Sequence, residues 1–159
     1  MRSNLSGQTV VEVLVALGAA VVVVTAIAVV VISAVNNTEF SKSQNMATQY
    51  AQQGMEVLRQ VRDSDYALFK TYDGTYCLDQ DETTLGQAAV DCTAPNVDDF
   101  IRKVVVDQSG CSNGASPKLA KATVTVSWTD GKCTSGSIYC HEVDLATCLG
   151  PAIGQVPTP

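Results

Sequence analysis

Residues 7–35 read GQTVVEVLVALGAAVVVVTAIAVVVISAV, and this apolar run dominates the 159-residue chain. From Val13 to Val35, 23 consecutive residues carry no charge, and nearly all of them are Val, Ala, Leu or Ile. A helix of that length rises about 34 Å, slightly more than the hydrocarbon core of a bilayer. Because backbone amides in lipid must be satisfied within the segment, the run predicts one transmembrane helix.

A single carboxylate, Glu12, lies at the start of this run. An acid at the centre of a spanning helix costs about 2.5–3.5 kcal/mol, so such a residue is rare unless it has a partner. Lys and Arg are absent from residues 3–41, so no side-chain cation lies nearby in the sequence. Glu12 is therefore a candidate functional residue. The alternative is an incidental acid close enough to the interface to reach water.

The rest of the chain is acidic and rich in cysteine. The formal charge of −6 gives no basic surface for a nucleic-acid partner. All six cysteines follow the apolar run, which is typical of disulfides in an exported domain: Cys77, Cys92, Cys111, Cys133, Cys140 and Cys148. A zinc site is the alternative, but the closely paired cysteines typical of such sites are missing. The lone His141 is interpreted as a surface or packing residue.

The first residues, MRSNLSG, are short and polar. A secretory signal has a shorter apolar core than this one and a small-residue cleavage site after it, and Val31-Ile32-Ser33 is a poor match to such a site. An uncleaved signal-anchor is the alternative that fits the hydrophobicity. It gives no reason for Gly7 or for Glu12.

The segment GQTVVEVLVAL, residues 7–17, resembles the class III leader motif of type IV pilins and type II secretion pseudopilins. Its residues around Glu12 resemble those of minor pilins most. In that family a polar leader ends in Gly, and Glu is the fifth residue of the mature helix. The resemblance implies cleavage after Gly7 by prepilin peptidase and N-methylation of Gln8. The family usually has Phe where this chain has Gln8.

The resemblance also implies a role for Glu12 and a place for the protein. In such filaments the Glu is thought to pair with the N-terminal amine of a neighbouring subunit. The expected protein is a structural subunit, a minor pilin or pseudopilin, without catalytic activity, cofactor or metal. It is expected in the cytoplasmic membrane with an extracytoplasmic head, and then in a cell-surface filament. Its expected partners are other pilin subunits, the peptidase and the membrane assembly platform.

Helical character continues beyond the apolar run. Residues 37–63 contain no Pro, and apolar or small residues recur there at helical spacing, at Phe40, Ala47, Ala51, Gly54, Leu58 and Val61. We therefore predict one helix from Gln8 to about Arg62, with a transmembrane half (8–36) and an amphipathic half (37–63) that covers a sheet. Residues 64–98 lack periodicity and are predicted to form a connecting loop.

That loop contains an acidic cluster at Asp79, Asp81 and Glu82. Some pseudopilins bind calcium in a loop, but calcium sites need an ordered set of six or more oxygens. The cluster lacks that order, which favours a solvated turn.

An antiparallel sheet is predicted over residues 99–150. Ala122, Val124, Val126 and Trp128 alternate with polar residues, and flanking strands are predicted from Phe100 to Asp107 and from Tyr139 to Leu149. In the last strand Val143 and Leu145 are expected to face inward. Short links favour a three-stranded meander covered by the amphipathic half-helix, which makes the fold α+β and pilin-like. The tail, 151–159, is predicted to be flexible.

The meander also predicts disulfide partners. The ends of its first and third strands meet at one edge of the sheet, which places Cys111 near Cys148. Cys133 and Cys140 flank the second hairpin, and Cys77 and Cys92 lie together in the loop. Six cysteines allow many other pairings. An enzymatic function is disfavoured, because the sequence has one His and lacks a nucleophile motif such as G-x-S-x-G.

Overall fold

The computed structural model describes residues 6–111, 119–130, 133 and 139–151. Residues 1–5, which belong to the predicted leader, lie outside this part of the chain. So do residues 152–159 of the tail that was predicted to be flexible. Helix α1 spans Ser6–Ser64 and a one-turn helix, α2, spans Tyr66–Phe69. The strands are β1 (Gly74–Cys77), β2 (Ile101–Asp107), β3 (Ala120–Trp128) and β4 (His141–Leu149). The fold is α+β, as the sequence predicts.

The chain divides into two compact units, residues 1–42 and residues 43–159. The first consists of the apolar part of α1, and its described side chains are all exposed within the chain. Thr25 and Thr38 direct their hydroxyls to carbonyls one turn earlier, at Val21 and Ala34, so these polar groups are satisfied inside the helix. By length and composition this helix could span a membrane.

The second unit is the head, which contains the end of α1 from Ser43 onward. Of the face predicted from helical spacing, five residues are buried against the sheet: Ala47, Ala51, Gly54, Leu58 and Val61. The sixth, Phe40, belongs to the first unit and is 39% exposed, so its predicted burial is wrong. Met55 extends the buried face instead.

The segment 64–98 is more structured than predicted. Asp65 ends α1 and caps α2, since its backbone N–H donates to the Val61 carbonyl and its carboxylate accepts the Leu68 N–H at 2.9 Å. Strand β1 then pairs antiparallel with β2, from Gly74 opposite Val106 to Cys77 opposite Lys103. The predicted featureless loop and the predicted three-stranded sheet are therefore both wrong. The sheet has four strands in the order β1-β2-β3-β4.

The three predicted strands are present with small changes at their starts. β2 begins at Ile101 rather than Phe100, and β4 begins at His141 rather than Tyr139. The alternation in β3 is as predicted, with Val124, Val126 and Trp128 buried. Burial is uneven along β4, where Val143 is half-buried, Leu145 is 36% exposed and Leu149 is buried. Leu145 lies opposite Val124 and therefore on the core face, as predicted, but it stays partly exposed because β4 is an outer strand that α1 does not cover fully.

Gly54 sets how closely α1 approaches the sheet. A Cβ added at this position would lie 3.0 Å from the Val124 methyl and 3.2 Å from the Arg102 side chain, closer than ordinary contacts. The missing side chain therefore leaves room for Arg102 between helix and sheet.

Candidate functional site

The predicted processing residues lie in the first turns of α1. Gly7 and Gln8 follow the first helical residue, Ser6, and Glu12 lies just over one turn later. The side chain of Glu12 is exposed, and its neighbours three and four residues away include Thr9, Val15 and Ala16. Among the described residues, none forms an ion pair with Glu12. The arrangement presents one carboxylate on an exposed, otherwise apolar helix surface.

The six cysteines form three disulfides in the head: Cys77–Cys92, Cys111–Cys148 and Cys133–Cys140. These are the three predicted pairs, of which two follow from the order of the strands and Cys77–Cys92 follows from the loop that the two residues share. The first joins the end of β1 to the loop before β2. The second joins the segment after β2 to the end of β4, and the third closes the segment between β3 and β4.

Arg102 is a buried cation that the sequence analysis missed. It lies on the core face of β2 and is only 1% exposed. Its guanidinium donates to the carbonyls of Leu78 at 3.0 Å, Asp79 at 2.5 Å and Tyr50 at 3.3 Å. Burial lowers the pKa of Arg102, and the nearby Asp79 and Glu82 carboxylates oppose that shift. The side chain thereby connects α1 to the loop that follows β1.

A second set of contacts holds the same loop. The Tyr50 hydroxyl donates to the Asp98 carboxylate, and this hydrogen bond is the main cause of a raised pKa for Tyr50. The Asn96 carboxamide accepts the Arg102 N–H at 2.7 Å and donates to the Arg102 carbonyl at 3.0 Å. Asp98 has a positive φ of 49°, a conformation that Asp tolerates better than most residues. Helix, strand and loop are therefore tied together around Arg102.

The acidic cluster lies at the rim of this region. The Glu82 carboxylate accepts the backbone N–H of Asp79 at 3.0 Å, which closes a turn, while Asp79 and Asp81 are exposed. An open recess of about 660 Å³ adjoins it and is lined by Asp79, Gln80, Asp81, Glu82, Pro95, Asn96 and Asp98. This geometry is a hydrogen-bonded surface turn.

A different cluster, at the junction of β3 and β4, combines four potential metal ligands. These are Asp130, Cys133, Cys140 and His141, whose ligand atoms all lie within 4.8 Å of one another. The His141 ring stacks on Trp128, with ring centroids 5.5 Å apart, and its Nε2 lies 3.0 Å from Asp130 Oδ2. The interpretation of His141 as a packing residue therefore describes only part of its surroundings.

Neither a family model nor a curated protein nor a solved structure matches this chain. The resemblance of residues 7–17 to pilin leaders stays a prediction. The architecture that accompanies it, a long N-terminal helix packed on a small antiparallel sheet, is a property of the chain itself.

Proposed function

We propose that this chain is a non-catalytic structural subunit, of the minor pilin or pseudopilin type, of a type IV pilus or type II secretion-like filament. The observation that carries the proposal is the lone carboxylate of Glu12, five residues after Gly7, on an exposed apolar helix. The same helix continues into a head closed by three disulfides. A chain with these parts would be held in the membrane by its helix and present its head outside the cytoplasm.

The chemistry of Glu12 supports assembly through the helix. In hydrocarbon a carboxylate without a partner is costly, whereas one next to a cation in low dielectric is strongly attracted to it. Cleavage after Gly7 would create an α-amine at Gln8, and the amine of a neighbouring subunit would be a partner of opposite charge. Such a pair would also fix the axial register between subunits, as a buried polar residue does in a coiled coil.

The head supports an extracytoplasmic location. Disulfides persist in oxidising compartments and are rare in the cytosol. All six cysteines are paired, and all lie on the same side of the apolar segment. In the proposed assembly the helices form the filament core and the heads face outward, where they contact other subunits or surfaces.

The test is the intact mass and the N-terminal residue of the full chain, expressed in a membrane with and without an active prepilin peptidase. We expect loss of residues 1–7 only when the peptidase is present, leaving Gln8 first. A further gain of one methyl group would identify N-methylation. The matched control is Gly7→Leu, which we expect to remain uncleaved because the peptidase must approach the backbone closely at this position.

The competing function is an uncleaved, signal-anchored binding protein. Retention of Met1 to Gly7 in the presence of a peptidase that processes a known substrate in the same cells would establish it. The filament proposal would then be withdrawn.

A further inference from the structure

We propose that Asp130, Cys133, Cys140 and His141 form a binding site for a zinc-like divalent cation when the Cys133–Cys140 disulfide is reduced. The disulfide and the metal would be alternative ways to close the same end of the β3–β4 pair. This inference does not depend on the filament function proposed above.

The fold brings the four residues together from two strands. Trp128, the last residue of β3, lies opposite His141, the first residue of β4. Asp130 follows β3 by two residues and Cys140 directly precedes β4. Cys133 is held near Asp130 because its N–H donates to the Asp130 carbonyl at 3.1 Å, and its sulfur lies 3.7 Å from Asp130 Oδ1.

The donor set suits zinc. Two thiolates, one imidazole and one carboxylate supply four ligands, and zinc in proteins prefers four ligands of these types in a tetrahedron. With Zn–S bonds of about 2.3 Å and Zn–N or Zn–O bonds of about 2.0–2.2 Å, neighbouring ligand atoms are about 3.3–3.8 Å apart. The four atoms here lie within 4.8 Å of one another, so the site needs only small movements, chiefly separation of the two sulfurs.

The surroundings position the ligands. Stacking on Trp128 fixes the plane of the His141 ring, and Asp130 is within 3.0 Å of its Nε2. Asp130, Cys133 and His141 are half-buried, which partly excludes competing water, while Cys140 is exposed and gives access to reductant and metal. A ring held in place by its neighbours loses little freedom when it binds a metal.

The redox step balances with a phosphine as the reductant and water as the source of oxygen and protons. A phosphine reduces the disulfide by taking up an oxygen from water, which leaves Cys133 and Cys140 as thiols and the phosphine as its oxide. The cation then replaces the two thiol protons, which pass to water, and two metal–sulfur bonds form. A newly synthesised chain carries thiols already and needs no reductant. When a small disulfide oxidises the metal-bound thiolates, the Cys133–Cys140 bond forms, the cation is released, and the two thiolates that leave the oxidant take protons from water.

The first experiment uses the full chain in detergent micelles, reduced with a water-soluble phosphine that is then removed under argon. We expect one zinc ion per chain by native mass spectrometry, and a thiolate-to-metal charge-transfer band when Co²⁺ is used as the probe. The control is Cys133→Ser/Cys140→Ser, reduced in the same way, which keeps the other four cysteines and should lose both signals. Asp130→Asn should raise the Kd for Co²⁺ about tenfold or more.

The second experiment avoids reduction, in case the reduced head unfolds. The single variant Cys133→Ser leaves Cys140 as a free thiol beside Asp130 and His141, with the other two disulfides intact. We expect its monomer to bind Co²⁺ with one thiolate ligand, more weakly than the reduced wild-type chain. If this variant binds no more Co²⁺ than Cys133→Ser/Cys140→Ser does, the site does not exist and the proposal is overturned.

Discussion

Glu12 and Arg102 are both charged side chains with apolar neighbours, but their electrostatic environments differ. Arg102 is surrounded by backbone carbonyls of its own chain that accept its hydrogen bonds. Glu12 has no ion-pair partner within the part of the chain that the structure describes. The first arrangement stabilises the head, and the second fits a residue whose partner comes from another molecule.

Arg102→Met should destabilise the head by about 3 kcal/mol, because three backbone carbonyls around a buried side chain lose a charged donor while the side-chain volume is nearly kept. The measurement is urea-induced unfolding of the full chain in micelles, followed by the fluorescence of the single tryptophan, Trp128. Arg59→Met is the matched control. It removes an exposed pair with Glu56 and should cost no more than about 1 kcal/mol. Equal losses in the two variants would contradict the role assigned to Arg102.

Glu12→Ala should leave membrane insertion intact, since it removes a charge from an apolar segment. It should lower recovery of the protein in sheared filaments about tenfold or more, because a close interfacial charge pair is worth about 1.5 kcal/mol or more. Quantitative immunoblots of the membrane and filament fractions measure both effects. Glu39→Ala, on the same helix but beyond the apolar run, should be recovered normally. Normal recovery of Glu12→Ala would remove the pairing role.

The sequence predicts Glu12 as a candidate but not Arg102, and the reason is physical. An acid in a long apolar run is conspicuous by itself, because a membrane gives it no water. Arg102 lies between Phe100 and Val104 on the apolar face of a strand with alternating residues. A charged residue on that face was the one sign in the sequence that it is buried. Recognising it required knowing that the carbonyls of Tyr50, Leu78 and Asp79 converge there, which depends on contacts across more than 20 residues.

At the scale of the elements, the contact between α1 and the sheet depends on Gly54. Gly54→Val should destabilise the head by about 1–2 kcal/mol, because overpacking against Val124 and Arg102 outweighs the gain in helix propensity. The adjacent exposed position provides the control, since Gln53→Val should change the free energy of unfolding by no more than about 0.5 kcal/mol. Urea unfolding of both variants measures the difference. If Gly54→Val left the free energy of unfolding unchanged, α1 could move away from the sheet without cost.

The turn after β2 should make the head sensitive to acid. The Asp107 carboxylate accepts hydrogen bonds from the backbone N–H and the hydroxyl of Ser109, both at 2.8 Å, and these bonds lower the pKa of Asp107. A lowered pKa in the folded state gives stability that is present above the ordinary value near 4 and is lost as the pH falls through the lowered value.

Asp107→Asn should therefore be less stable than the wild-type head at pH 7, and the difference should shrink as the pH falls below about 4. Unfolding midpoints from pH 7 to pH 2.5 would show this convergence, with Ser109→Ala between the two because it keeps the backbone donor. A difference that does not depend on pH would assign the effect to packing.

Much of the element pattern follows from local sequence. β2, β3 and β4 are predictable because their apolar residues recur every second position, and α1 is predictable from its apolar run and its amphipathic stripe. β1 is not, since its four residues GTYC begin with the Gly of a turn-like Tyr-Asp-Gly and become a strand only by pairing with β2 nearly 30 residues later. Leu145 shows the same limit, because periodicity cannot indicate that the helix leaves the outer strand partly uncovered.

At the scale of the whole molecule, the three disulfides close loops of different lengths within the head. They span 37 residues for Cys111–Cys148, 15 for Cys77–Cys92 and 7 for Cys133–Cys140. If they act on the unfolded chain, replacing each pair by serines should cost about 4, 3 and 2 kcal/mol in that order. Urea unfolding of the three double variants tests the ranking. If replacing Cys133 and Cys140 caused the largest loss in the free energy of unfolding, the disulfides would act through contacts in the folded head instead.

The Cys111–Cys148 bond also determines how the head carries mechanical load. Tension applied between α1 and the residues after Leu149 passes through this bond and bypasses the 37-residue loop that it closes. β3, one of the two inner strands, and β4 as far as Cys148 lie within that loop, so pulling on the ends never extends them. Together with the Cys77–Cys92 loop, about 180 Å of contour length is removed from the path of the force. Under load, only the segments outside the two closed loops can be extended, and these include β2, while β3 and most of β4 stay covalently sheltered.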